Sequence, residues 1–444
     1  MTAPTKPHGF NEDTLQQVIA ERNEPAWMTE RRQQAWQTYL DTPMPTRQDE
    51  EWRRTDLRPL QLDATSPLDV TTVASTGQTL AAKDDLAGGL TLIDGQVQDH
   101  WLTPELAGQG VIVTDLRTAV KDHADLVQKY FMTQAVPATD SKFAALHGAF
   151  WDNGSFIYVP KGVTVALPLG ILIESVAAGH ASMNHTLIVL ERDSHLRFIE
   201  ELQGGETSQQ AFSSRVVELI LHDGSGLDFA SIQRFSETMF DFYTIRAIQG
   251  RETRLNLNTI ELGARLSKGR VEAMLNGNGA DVRLYGLYLG DRDQHYDRFT
   301  LQDHRGVSTT SDLLFKGVLA DNARSVYSGF IRMHPGAKLS RAYQQNRNIL
   351  LSRTARADSI PNLEISENDI LGCTHGATVG KVDEEQLFYL MSRGLSRSES
   401  TQMLVEGFIE QLIDNVPLTS LQNSLRDEIR NRVAIATAKA EQHG

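Results

Sequence analysis

The sequence predicts a mainly β protein: a solenoid of parallel strands, or parallel β-helix, with a helical region at each end. Three observations carry that prediction. Turn residues recur at one interval through the middle of the chain, the apolar residues between them alternate with period two, and helical periodicity is confined to the ends.

The interval is the strongest of the three. Gly162, Asp193, Asp223, Gly250, Gly279, Gly306 and Gly336 each precede a strand-like run, at successive spacings of 31, 30, 27, 29, 27 and 30 residues. Secondary turn signals fall between several of them, at Gly204-Gly205, Gly269, Gly290 and Asp321-Asn322. One coil of this length cannot bury its apolar face alone, and stacking on its neighbours creates a continuous core. Gly or Asp supplies the corners where φ is positive. Alternation shows in Val163, Val165 and Leu167, in Leu255, Leu257 and Thr259, and in Val282, Leu284 and Gly286. An antiparallel sandwich would alternate equally well, but it gives no reason for one interval kept over six steps. The β-helix core is therefore assigned to residues 91–382.

The ends read differently. In residues 1–90, Asn11 caps a short helix that runs to the Glu24-Pro25 break. Met28, Arg32, Ala35, Trp36, Tyr39 and Leu40 follow at helical spacing and stop near Pro43 and Pro45. The charged stretch Asp49-Glu50-Glu51-Trp52-Arg53-Arg54-Thr55-Asp56 reads as an exposed helix with i,i+4 pairs. In residues 383–444, Asp383 with Gln386 and Ser396 with Glu399 make capping-box patterns, and Gly394 ends the first helix. Leu404, Phe408 and Leu412 share a face with Val405, Ile409 and Ile413 until Pro417 breaks the run. Leu421, Leu425, Ile429 and Val433 mark a last amphipathic helix. So wide an apolar face either caps the solenoid or docks a partner, and capping is the default for a terminal coil.

Composition narrows the function. At 444 residues the chain exceeds the size of a single ordinary core. Its formal charge of −14 argues against nucleic-acid binding, which needs Lys and Arg to displace counterions from phosphates. No window approaches the roughly 20 apolar residues of a membrane helix. Met1 to Phe10 is polar, without the apolar core of a signal peptide. A single cysteine excludes an internal disulfide. A cytoplasmic protein is expected.

Catalytic motifs are absent from the sequence. There is no Gly-x-Ser-x-Gly elbow, no Gly-x-x-x-x-Gly-Lys-Ser/Thr loop and no His-Glu-x-x-His, and Gly277 with Gly279 has no helix behind it. No enzyme is predicted. The densest polar run is Asp291-Arg292-Asp293-Gln294-His295-Tyr296-Asp297-Arg298, followed by Asp303-His304-Arg305. In a β-helix such runs form solvated corners or subunit contacts. The most pointed segment is Gly372-Cys373-Thr374-His375-Gly376-Ala377-Thr378. In a strand, Cys373 and His375 stand on one face, and thiolate and imidazole both ligate iron. One buried cysteine beside one hydrogen-bonded histidine is the plainer alternative. Iron–sulfur clusters usually take four protein ligands, so a chain with one cysteine cannot complete a site alone. The missing ligands must come from a second subunit or a small molecule.

The run Ala357-Asp358-Ser359, Pro361-Asn362-Leu363-Glu364-Ile365 and Cys373 to Gly380 resembles the signature of the SufB/SufD family of iron–sulfur cluster assembly proteins. The resemblance continues through Asp383 to Leu390 and Ser392-Arg393-Gly394, and a second block lies at Lys142 to His147 and Phe156 to Val163. Glu24-Pro25-Ala26-Trp27 and the Asp49–Asp56 stretch favour the SufD branch. SufB chains tend to be longer and richer in cysteine, with glutamate where this chain has Gly376. The resemblance implies a right-handed β-helix and a scaffold role without catalysis, beside a SufB-like paralogue and a SufC-like ATPase. It implies a transient iron–sulfur cluster, shared with the partner and not stably held by the isolated chain. His375 and Cys373 would serve its assembly at the partner interface. The 383–444 region would receive the ATPase, with Phe388, Tyr389, Arg393, Met403 and Phe408 as partner-binding residues. The alternative from another class is a secreted-type β-helical lyase or hydrolase of acidic polysaccharide, disfavoured by the missing signal peptide and the net acidity. A self-contained metal-binding protein would instead hold stable metal in the isolated chain.

Overall fold

The computed structural model describes residues 9–67, 80, 83–205 and 209–443; most of the polar start, residues 1–8, lies outside them. Its helices are α1 (Glu12–Arg22), α2 (Ala26–Asp41), α3 (Pro104–Gly108), α4 (Leu116–Asp122), α5 (Ala124–Tyr130), α6 (Lys142–Phe150), α7 (Glu384–Ser392), α8 (Arg397–Ile413) and α9 (Thr419–His443). The opening strands are β1 (Gly88–Ile93), β2 (Gln96–Leu102), β3 (Ile112–Asp115) and β4 (Asn153–Val159). The coils continue through β5 (Leu169–Ser175), β6 (Ala181–Leu190), β7 (His195–Gly204), β8 (Ala211–Leu221), β9 (Gly226–Arg234) and β10 (Met239–Gln249). Next come β11 (Arg254–Glu261), β12 (Leu266–Leu275), β13 (Asp281–Gly290), β14 (His295–His304) and β15 (Thr310–Leu319). β16 (Arg324–Met333), β17 (Arg341–Leu350), β18 (Arg356–Ile365) and β19 (Gly372–Lys381) complete them.

From β4 onward, even and odd strands fall into two parallel sheets, ordered β18 to β4 and β19 to β5. Each coil contributes one strand to each sheet, about eight coils in all. The β-helix is thus the observed fold. Leu255, Leu257, Val282 and Leu284 point into the lumen between the sheets and belong to its core.

The turn residues that set the repeat line up at one corner. Gly162, Asp193, Gly279 and Gly336 have positive φ themselves; in the intervening coils that conformation falls on Gly224, Glu252 and Ser308, one or two residues after the expected positions. Two expectations are corrected. Gly269 lies in the middle of β12, where a β-carbon would come within 2.0 Å of the Tyr243 ring, so it marks a close side-chain approach and not a turn. The Val163–Leu167 run forms one bridge, Thr164 with His195, and leaves Leu167 exposed.

Helices clothe both sheets. α1, α2 and α6 pack Leu15, Val18, Trp36 and Phe150 against Phe212, Phe240 and Phe242 on the outer face of the even-numbered sheet. The 104–150 stretch, read from sequence as part of the strand zone, in fact carries α3 to α6 before the parallel coils begin. On the odd-numbered sheet, Val405, Ile409, Leu412, Leu425, Ile429 and Val433 of α8 and α9 pack against Ile232, Ile260, Leu287, Leu314 and Val318. The C-terminal helices therefore cover a flank and leave the end of the solenoid open, contrary to the capping expectation. The outward-facing aliphatic residues of the odd strands give that hairpin an apolar surface on which to bury its own.

The charged Asp49–Asp56 stretch is no helix beyond the short turn Glu50–Trp52. It is a strap across the even-numbered sheet. Trp52 packs on Phe143 and Phe242, at 5.4 and 5.9 Å between ring centres, with Lys268 Nζ 4.5 Å from its ring. Arg270 pairs with Glu51, and Thr55 Oγ1 donates to Asp297 Oδ2. These contacts with distant strands outweigh local helix propensity.

Candidate functional site

β18 and β19 end their sheets, and among the described residues no strand stacks beyond them. β19 pairs with β17 in register, Cys373 beside Ala342 and His375 beside Gln344. Ala342 and Gln344 are buried. In-register stacking therefore turns Cys373 and His375 towards the lumen, on one face as their spacing predicts. Without a coil above them their environments differ. His375 is exposed, whereas Cys373 is half-buried against Ile331, Met333 and Ala342. Burial pushes the Cys373 thiol up, which disfavours the ligating thiolate at rest. The exposed imidazole is the more accessible ligand of the two.

The surroundings are apolar. Leu363 and Ile365 of β18 and Val379 of β19 are exposed at this end, with Leu371 in the turn 61% exposed. Among the described residues no group of three or more His, Cys, Asp or Glu could hold a metal ion. The end thus presents a thiol and an imidazole, side-chain types able to ligate iron, within an unfinished core and a free strand edge. Sequence patterning missed the apolar rim, because those side chains look like ordinary core; only the lack of another coil after Lys381 could have marked it.

The C-terminal residues expected to bind a partner divide. Asp383 Oδ1 accepts from the Glu385 and Gln386 amides to start α7, and Gly394 ends it with φ 97°. Leu387 is the buried residue of α7, which turns Phe388 and Tyr389 outward at 75% and 57% exposure. Arg393 lies over the Tyr389 ring, 5.2 Å from its centre, and Met403 on α8 is also exposed. Phe408 departs from this surface. It is half-buried against the cluster under α8, Lys316 Nζ stands 5.0 Å from its ring, and that ammonium donates to the Phe408 carbonyl at 2.6 Å. Phe408 anchors the helix to the solenoid and leaves Met391 as the further exposed apolar side chain of α7.

The 291–305 run divides: Arg292, Asp293 and Arg305 are exposed at corners as expected, whereas most of the rest is internal. Asp291 pairs with Arg432 and pins α9. His295 and Asp297 lie beneath the strap, and Arg298 pairs with Glu261 inside the lumen. Asp303 pairs with Arg305 and His334, while His304 bonds Thr309 and Ser311, both at 2.8 Å. Bonded within the fold, these groups offer no free acid–base pair.

Two family profiles cover nearly all of this architecture. Residues 172–408 match the SufBD core domain of the SUF system for FeS cluster assembly, and residues 12–171 match the SufBD protein N-terminal region. The chain belongs to the SufBD family. Among similar curated relatives of this family, the iron–sulfur cluster assembly protein SufD of Bacillus subtilis is 29% identical, covering 98% of this chain and 100% of its own length. SufB of the same organism is 28% identical, over 92% of this chain and 90% of its own. A SufBD family protein of Staphylococcus saprophyticus is 29% identical over the same shares. Iron–sulfur cluster assembly is thus the setting of a SufBD chain, and the polysaccharide-cleaving alternative is unsupported. No helix is long and apolar enough to cross a membrane among the described residues.

Proposed function

We propose that this chain is the SufD-type scaffold subunit of a cytoplasmic SufB–SufC–SufD assembly, without catalysis of its own. The end-to-end match to a SufD supports that branch, as does a single cysteine. The observation that carries the reading is the open last coil, which exposes His375 beside Cys373 on an unpaired edge. An edge of this kind invites strands from another chain, and the apolar rim supplies area to bury. A SufB-like paralogue is the occupant that also adds the thiolates a cluster requires. The cluster is cargo, held transiently between the two subunits. The 91–382 core carries this edge, the helices and strap of the 1–90 region brace the core, and the 383–444 region docks a SufC-like ATPase through Phe388, Tyr389, Arg393 and Met403. Phe408 contributes by holding α8 in place.

Replacing His375 with alanine removes a ligand and leaves the backbone ladder to β17 intact. Loss of a residue that merely orients a metal ligand costs about 10- to 100-fold, so loss of the ligand should cost at least that. His375→Ala should assemble with both partners and fail to build clusters; Cys373→Ala should lose less, because the partner brings thiolates. Co-expression with the partners, followed by maturation of client iron–sulfur proteins, measures both. Wild-type maturation by an assembled His375→Ala complex would make this histidine structural.

A further inference from the structure

Between its Leu, Ile and Phe side chains the lumen holds buried polar groups. In the middle coils these include ion pairs, Arg215 with Asp241 and Arg298 with Glu261. The later coils bring in the amides Gln302, Gln344, Asn346 and Asn348, all buried. Most of these are bonded. Asn348 Nδ2 donates to Asn346 Oδ1 at 2.8 Å, Tyr288 Oη donates to Asn348 Oδ1 at 2.6 Å, and Gln302 Nε2 donates to Ser311 Oγ at 2.6 Å. Gln344 is the exception. It is 0% exposed, and among the described residues neither its amide nitrogen nor its amide oxygen has a hydrogen-bond partner.

A buried amide left unbonded costs about 1–3 kcal/mol, a cost that leucine at the same place would not incur. The fold nevertheless makes room for it. On the facing strand stands Gly329, where a β-carbon would come within 2.3 Å of Gln344 Nε2. Directly above Gln344 in the ladder is His375. The two side chains share the lumen face, one strand spacing of about 4.8 Å apart. An unengaged amide thus lies beneath the imidazole expected to meet iron.

We propose that Gln344 is a positioning residue for His375. When a partner closes the open end, the Gln344 amide oxygen accepts from one ring N–H of His375. That bond selects the tautomer and turns the other nitrogen, with its lone pair, towards the incoming metal. The proposal rests on the His375 reading above.

Gln344→Leu tests it in the full complex, with Gln344→Met as a second variant should the branched side chain disturb packing. Gln344→Glu keeps the acceptor. The apolar variants should melt at or above the wild-type temperature and assemble with both partners, yet form clusters about 10- to 100-fold more slowly. Gln344→Glu should recover most of the rate. A long-range proton–nitrogen correlation spectrum of the histidine-labelled complex should show one His375 tautomer in wild type and a mixture in the apolar variants. Wild-type cluster formation by either apolar variant overturns the proposal, as does an unchanged tautomer alongside slower formation. If His375→Ala builds clusters at the wild-type rate, the histidine reading itself has failed; if His375→Ala fails but the apolar Gln344 variants build clusters at the wild-type rate, that reading stands and this one falls.

Discussion

His147 between α6 and the even-numbered sheet and His304 in the lumen are buried, and His295 lies partly covered beneath the strap. Burial lowers all three, His295 and His304 to about 4 and His147 well below its usual value of 6.5, with the neighbouring His185 adding to the effect at His147. Each titrates near 6.5 in the unfolded chain, so the folded state holds fewer protons between about pH 6.5 and 4. Stability is therefore full above 6.5 and falls as pH drops through that window. At 1.36 kcal/mol per unit, His295 and His304 each account for about 3 kcal/mol at most by pH 4. Asp152, held down to about 2 by Arg22 and Arg117 against its burial, enters only at lower pH. Melting curves between about pH 7 and 4.5 should show a steep decline that His304→Gln makes shallower; a flat profile would contradict this account. At the same scale, the shared face of Cys373 and His375 was legible from their spacing. Their unequal burial was not, because it depends on the missing coil above them.

Among the elements, α7 carries the sharpest expectation. Phe388 and Tyr389 project from a helix that Leu387 holds to the body, so truncating both should cost the fold little, roughly 0.5 kcal/mol or less. Exposed aromatic anchors of an interface are worth about 2 kcal/mol or more each. Phe388→Ser with Tyr389→Ser should thus keep its melting temperature and lose most ATPase affinity in a calorimetric titration. Unchanged affinity would remove α7 from the docking surface. Helix ends were readable because their chemistry is local: Asn11 accepts from the Thr14 amide at 3.0 Å, and Ser396 with Glu399 completes a capping box. The strap was not readable. Trp52 finds Phe143 and Phe242 from far along the chain, and no local pattern announces partners so distant.

For the molecule as a whole, the repeat was legible because each corner must solve the same backbone problem at the same interval, as Gly162, Asp193, Gly279 and Gly336 do. Where the helices would lie was not, since an apolar helix face such as that of α8 fits a flank as well as an end. On the proposed function the isolated chain would offer only Cys373 and His375 at its open end where a cluster usually takes four ligands, so it should purify colourless under anaerobic conditions. A stoichiometric, oxygen-sensitive chromophore in a verified monomer would refute that. The two ends of the coil stack also differ in kind. At the start, β2 turns back antiparallel on β1 with an irregular register at Thr91/Leu92 and presents Gln98, Asp99 and His100 to solvent. β3 likewise runs antiparallel to β4. Neither offers the parallel, apolar template found at β18 and β19. On the proposed function, and in the language of polymerisation, the chain would be a monofunctional monomer: one reactive end would join one partner, and growth would stop at the pair.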